Sequence, residues 1–228
     1  MSLPLHKQSF ELIKRSKRPV IVLPHGCGAD GYATAVALAG VMKKMNTEVD
    51  IVAADGPLPT TLEFLKFKQR VRPNFGQLQK FVITLDVNKT SVEELSYDVE
   101  NGELQIYITP RSGFWSKKDI GHKTGAFKYD LIIAIGTPNP ENLGELFTKN
   151  NSFYFNTPVI NIDHTPDNEH YGQVNIVDLT ATSNGEVVYQ LVEKWGHELI
   201  DEEIATQLLT GMIAKTQSFK TPNVTPKT

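Results

Sequence analysis

Pro158–Val177 reads PVINIDHTPDNEHYGQVNIV, and its opening five residues are a short apolar run that stops at Asp163-His164. Such a run, bounded by turn residues and rich in Val and Ile, is the pattern of a strand buried on both faces. Like runs recur outward along the chain at Pro19–Pro24 (PVIVLP), Glu48–Ala53, Phe81–Leu85 (FVITL) and Asp130–Ile135 (DLIIAI). Segments of helical period lie between and around them: Leu3–Lys17, Asp30–Met45, Pro57–Lys68, a stretch near Glu141–Asn150, Thr180–Trp195 and Asp201–Ile213. The alternation predicts an α/β fold with a doubly wound, mainly parallel sheet flanked by helices. Two alternating runs, Glu94–Val99 and Glu103–Thr109, are joined by Glu100-Asn101-Gly102. Asn-Gly between alternating segments predicts an inserted antiparallel β-hairpin, at about 90–125.

Composition narrows the function classes. The 228 residues carry 26 Asp and Glu against 23 Lys and Arg, a net charge of −3, with 40% hydrophobic residues. That apolar content builds a sizeable core and excludes collagen, coiled coil and disorder. The balance argues against a wholly basic nucleic-acid platform. No run approaches the ~20 apolar residues of a membrane span. One cysteine, Cys27, allows no internal disulfide, and the opening segment is charged rather than an apolar signal core, so a cytoplasmic protein is expected. The final residues, 219–228, are rich in Thr, Pro and Lys and are expected to form a tail or the start of a linker.

In open α/β sheets, functional residues gather at the carboxyl ends of strands. His25 and Asp30 follow the first strand, Asp86 follows FVITL, and Asp163-His164 follow PVINI. These are the candidate site residues. For each, a plainer reading stands beside the functional one: His164 is a metal ligand or an imidazole held by neighbouring backbone, and Asp163 a group orienting an imidazole or a turn and helix cap. Cys27 is a small buried residue or a nucleophile. Gly26-Cys27-Gly28 forms a turn that can cradle an anion at a helix start. Lys66, Lys68, Arg70 and Arg72, with Phe67 between them, are either a phosphate contact or a solvated helix end, and His122, His170 and His197 are expected at the surface.

The quoted stretch, followed by Asp178-Leu-Thr-Ala-Thr-Ser-Asn-Gly-Glu-Val-Val-Tyr189, resembles the DHH phosphoesterase superfamily, whose signature is a strand running into Asp-His-His and later a Ser/Thr-rich turn ending in Glu. The nanoRNase branch, related to RecJ and comprising bifunctional oligoribonucleases that also dephosphorylate 3′-phosphoadenosine 5′-phosphate, is the nearest in pattern. Leu23–Leu38 (LPHGCGADGYATAVAL) is similar to the first motif, Asp130–Leu143 to the second and Ile204–Thr225 (IATQLLTGMIAKTQSFKTPNVT) to the fourth. The resemblance implies residues 1–218 as the first, DHH-type domain. The second, substrate-binding domain that the resemblance associates with active members is expected to be absent.

The resemblance further implies two Mn²⁺ or Mg²⁺ ions about 3.5–4 Å apart that activate a water for phosphodiester hydrolysis, held by several carboxylates. Four functional positions depart from it. Gly28 and Gly136 stand where two Asp residues belong, Thr165 replaces the second His, and Lys215 replaces the fourth-motif Asp. His25, Asp30 and His164 remain, and Asp86 is a substitute for the missing second-motif Asp if the hairpin is inserted after its strand. What is expected is therefore a degenerate domain with no metal or a weak Mn²⁺/Mg²⁺ site, acting by binding a phosphate-bearing ligand at Gly26, Gly28 and Thr165, such as a nucleotide or short oligonucleotide, or by binding a protein partner. The alternative is a divergent Mn-dependent phosphoesterase acting on short oligonucleotides or nucleotide phosphates. A third expectation is an assembly role, with the hairpin edge supporting a homo-oligomer.

Overall fold

The computed structural model describes residues 3–65, 67, 71–226 and 228. Lys66, Lys68 and Arg70 of the basic cluster lie outside the described residues. The chain divides into two units, residues 1–78 with 128–228, and residues 79–127.

The first unit holds five parallel strands in the order β2-β1-β7-β8-β9: β2 (Asp50–Ala53), β1 (Pro19–Leu23), β7 (Leu131–Ile135), β8 (Val159–Asp163) and β9 (Val174–Val177). β1, β7 and β8 are buried along their whole length, which is why they read as continuous Val/Ile runs rather than alternating ones. Each fully buried aliphatic side chain contributes about 1.5–3 kcal/mol. The chain reverses its direction of growth between β1 and β7, and that switch point is where open α/β sheets place ligands.

α1 (Leu5–Arg15), α2 (Gly28–Lys44), α5 (Asn184–Trp195) and α6 (Glu202–Lys215) complete the layers, with two short helices, α3 (Glu145–Thr148) and α4 (Asn151–Asn156), where one helix near 141–150 is expected. Gly144 and a 3₁₀ turn over Pro140–Leu143 break that segment. Small residues let α2 and α6 pack closely: a Cβ on Gly40 of α2 would lie 3.2 Å from the Ile204 side chain of α6. A Cβ on Gly211 of α6 would come within 2.9 Å of the Asp30 carboxylate.

The second unit is a two-stranded β-arm. β3 (Gln79–Leu85) pairs antiparallel with β6 (Ile120–Phe127), and β4 (Val92–Glu100) with β5 (Glu103–Pro110). Asn101 and Gly102 connect β4 and β5 with φ of 51° and 81°, the left-handed pair of a type I′ turn. The insertion therefore runs over 79–127 rather than about 90–125. FVITL, expected in the parallel sheet, is antiparallel and half-exposed instead, because its partner is β6. The described residues 219–226 and 228 form turns and irregular chain, Phe219 N–H donating to the buried Thr216 hydroxyl at 3.0 Å. No described helix is long and apolar enough to cross a membrane.

Candidate functional site

Asp30 lies in the first turn of α2, just past the carboxyl end of β1, and is 4% exposed. Both of its carboxylate oxygens are engaged. Oδ2 accepts from the Asn184 backbone N–H at 2.9 Å and from Asn184 Nδ2 at 3.0 Å, while Oδ1 accepts from Gly185 N–H at 3.1 Å and Thr34 Oγ1 at 3.3 Å. The first N–H groups of a helix have no intrahelical partner and carry the positive end of its dipole. Here Asp30 takes those of Asn184 and Gly185, and the Ser183 hydroxyl takes that of Glu186 at 3.1 Å. The start of α5 is thus an anion site filled by the chain's own carboxylate.

Asn184 joins this to β7 and β8. Its Oδ1 lies 3.3 Å from His164 Nδ1. Its Nδ2 lies 2.7 Å from where a Cβ on Gly136 would be, and Gly136, immediately after β7, has a φ of +59°. Both the backbone angle and the close approach require glycine there.

Asp163, fully buried at the end of β8, holds its own loop. Oδ1 accepts from the amides of His164 (2.7 Å) and Thr165 (3.2 Å), and Oδ2 from the Thr165 hydroxyl (2.9 Å) and Asn168 Nδ2 (2.8 Å). Asn161 Nδ2 extends this network to Asn168 Oδ1 at 2.8 Å. Asp163 Oδ1 is 3.7 Å from His164 Nδ1, too far for a hydrogen bond, so it does not orient that imidazole. The Thr165 side chain, expected to be available to phosphate, is a donor in this turn.

His25 follows β1 and is exposed, with Nδ1 2.8 Å from Asp55 Oδ1. Asp55 Oδ2 also accepts from Gly26 N–H at 2.7 Å. The hydrogen bond from His25, reinforced by the Gly26 amide and opposed by slight burial, holds the Asp55 carboxyl below the usual carboxylate range. Gly26 and Gly28 face open space, with nothing within 4 Å of a Cβ on either. Cys27, between them, has its thiol pushed up to about 12 by burial and by the charges of Asp55 and Asp30. It is not a nucleophile at neutral pH.

The parallel sheet gathers His25, Asp30, Gly136 and His164 at the ends of β1, β7 and β8. It does not supply Asp86. That residue follows the arm strand β3, in the second unit, and accepts from the Asn88 amide (2.9 Å) and Asn88 Nδ2 (2.7 Å) in a local turn. Lys215 is exposed in the last turn of α6. Asp55 and Asn184 are the residues that sequence reasoning missed. Position after β2 was a usable signal for Asp55, whereas nothing local marks Asn184.

Two-metal chemistry needs carboxylate oxygens free to face cations. The described residues do not fit it: Gly28 and Gly136 offer no side-chain ligand, and the Asp30 oxygens face N–H and O–H donors. Among the described residues no three His, Cys, Asp or Glu side chains converge on a metal position.

No family model matches the chain. A Thermus thermophilus protein named bifunctional oligoribonuclease and PAP phosphatase NrnA is 38% identical over 69 residues, covering 30% of this chain and 21% of its own length. A Streptococcus mutans protein named probable bifunctional oligoribonuclease and PAP phosphatase NrnA is 32% identical over 98 residues, 43% of this chain and 30% of its own. The matched segments thus span less than a third of those relatives. An exopolyphosphatase-related protein from Bacteroides fragilis shares the fold, with a TM-score of 0.62 at 14% identity over 98% of this chain and 53% of that one. The likeness, in partial sequence and in fold, is to DHH phosphoesterase-like proteins.

Proposed function

We propose that this is a degenerate DHH phosphoesterase-like domain that has lost two-metal hydrolysis and binds a phosphate-bearing ligand, a nucleotide or short oligonucleotide, at the Gly26–Asp30 turn. The observation that carries the reading is the fourfold-bonded Asp30 carboxylate, beside glycines at 28 and 136 where the resemblance calls for Asp. The α2 start retains features suited to an anion. The Gly28 and Ala29 amides precede the helix's first internal hydrogen bond, and the exposed His25 imidazole, held by Asp55, belongs to the same loop between β1 and α2. The names of the partial relatives are what point to nucleotides as the ligand class.

Two measurements on the purified chain test this. With Mn²⁺ and a fluorescent dinucleotide, no turnover above buffer is expected; Mn²⁺-dependent turnover abolished by Asp30→Ala or His164→Ala would establish the divergent phosphoesterase instead. In calorimetric titrations with nucleoside mono- and diphosphates, saturable heat that disappears in His25→Ala is expected. Its absence for every nucleotide removes the binding role.

A further inference from the structure

His25 is gripped from both neighbours of β1 in the sheet. On the β2 side, Asp55 Oδ1 lies 2.8 Å from the ring nitrogen Nδ1, and Asp55 Oδ2 accepts from the Gly26 N–H at 2.7 Å. On the β7 side, the His25 backbone N–H donates to Asn142 O at 3.2 Å, and the ring edge lies against Gly144, where a Cβ would come within 2.8 Å of Nε2 and 3.0 Å of Cδ2. Gly144, with a φ of +56°, suits that place by its backbone angle and by the room it leaves. The imidazole stays 58% exposed, so it is oriented yet open to a ligand.

Asp55 is itself fixed. The Ala54 N–H donates to Leu23 O at 3.0 Å just past the paired strands, the Gly56 N–H closes a turn onto Ala53 O at 3.0 Å, and the buried Tyr32 hydroxyl of α2 donates to Gly56 O at 2.9 Å. An ionised carboxylate only accepts hydrogen bonds, so the ring nitrogen that faces it carries the proton. In the neutral imidazole the other nitrogen, Nε2, is then an acceptor. That polarity selects among the parts of a nucleotide. A phosphate oxygen also only accepts and gains nothing from such an Nε2, and a sugar hydroxyl, which donates or accepts, does not distinguish the tautomers. The exocyclic amino group of adenine or cytosine only donates, and it matches. The phosphate is left to the Gly28 and Ala29 amides, and residue 28 is no more than about 11 Å along the chain from residue 25, within the length of one nucleotide.

We infer, resting on the nucleotide-binding reading above, that Asp55 is a positioning residue: it holds His25 in the Nδ1–H tautomer, so that Nε2 accepts from the exocyclic amino group of the bound base and the site prefers adenine and cytosine to their oxo counterparts, hypoxanthine and uracil.

Asp55→Asn separates this role from a merely structural one. The Gly26 N–H can only donate and takes the Asn oxygen, which leaves the Asn NH₂ facing the ring; both bonds survive, but the ring must now carry its proton on Nε2. Nitrogen-15 spectra of the imidazole in the ligand-free chain, at about pH 8 where an ordinary imidazole is neutral, are expected to show Nδ1–H in the wild type and Nε2–H in Asp55→Asn, with unchanged urea midpoints. In calorimetric titrations the wild type is expected to bind adenosine monophosphate about tenfold more tightly than inosine monophosphate, and cytidine than uridine monophosphate by a similar factor. Asp55→Asn is expected to reverse both preferences. A wild-type ring with its proton on Nε2, equal affinities within each pair, or preferences that Asp55→Asn leaves in place would overturn the inference while the binding role stands. No heat with any of the four nucleotides, from a chain whose ring carries its proton on Nδ1, would instead remove the nucleotide reading and leave Asp55 as the residue that orients His25.

Discussion

Asp30 and Asn184 are 154 positions apart in sequence, yet the backbone N–H and the side-chain amide of Asn184 both donate to Asp30 Oδ2, at 2.9 and 3.0 Å. The pair ties the first turn of α2 to the first turn of α5, and both helix dipoles favour the negative charge. In Asp30→Asn the charge is lost and an amide NH₂ must face N–H donors in a buried site. The expected cost is about 2–4 kcal/mol in urea unfolding followed by circular dichroism. Asn184→Ala keeps the backbone donor and is expected to cost less, about 1–2 kcal/mol. An Asp30→Asn change below about 0.5 kcal/mol would refute the structural role and return Asp30 to the list of free ligands.

Cys27 sits in the same turn with its thiol pushed up to about 12, by burial first and then by Asp55 and Asp30. At pH 8 only about one molecule in ten thousand carries the thiolate, against roughly a quarter for an ordinary thiol of pKa ~8.5. Iodoacetamide alkylation, followed by mass spectrometry, is expected to run well over tenfold slower than for glutathione, the smaller thiolate fraction outweighing the greater nucleophilicity of a high-pKa thiolate. Asp55→Asn removes one of the opposing charges and accelerates it. A native-state rate within about tenfold of glutathione's is incompatible with this environment.

The parallel core was legible because strands buried on both faces cannot hide their composition: PVIVL, LIIAI and VINID are each buried end to end. Asn101-Gly102 was equally legible, since few other pairs adopt two successive positive φ values cheaply. FVITL misled for the opposite reason. It is as apolar as a core strand, yet Phe81 and Ile83 are exposed, and composition reports what a strand is made of, not what covers it. Asp86 went with that strand. The site was half legible: strand ends located His25, Asp30 and His164, but Asn184 acts through contacts to residues in three other segments, which no local pattern encodes.

Asp130, beginning the approach to β7, receives hydrogen bonds from the Ser16 hydroxyl and from the amides of Lys17 (2.8 Å) and Arg18 (3.0 Å). Burial raises its pKa, but those bonds outweigh burial and the net shift is downward. A carboxyl depressed in the folded state binds fewer protons there than when unfolded. Its contribution is therefore complete above the unfolded value, about pH 4, and is lost as pH falls through the folded value. Urea midpoints measured from pH 6 down to about pH 2.5 are expected to fall in the wild-type chain, and Asp130→Asn is expected to be less stable at pH 6 with a shallower acid limb. Parallel pH profiles for the two proteins would show that this carboxylate contributes nothing to acid sensitivity.

Gly136 offers the sharpest test of whether the site can be returned to metal chemistry. Restoring the carboxylate that the DHH resemblance places there, Gly136→Asp, forces an L-residue to φ of +59° and sets its Cβ against Asn184 Nδ2 at 2.7 Å. The left-handed backbone alone costs about 1 kcal/mol or more, though Asp tolerates it better than most residues. Displacing Asn184 would also loosen its bonds to Asp30, so a total loss of about 2–4 kcal/mol is expected in thermal or urea unfolding. A cation that bound the new carboxylate would oppose that loss by mass action. None is expected to, because the Asp30 oxygens remain turned toward the Asn184 and Gly185 amides, so melting temperatures with and without millimolar Mn²⁺ should coincide. A Mn²⁺-dependent rise of several degrees in Gly136→Asp, absent from the wild-type chain, would mean that the α5 start releases Asp30 and that one substitution separates this site from a working ion position.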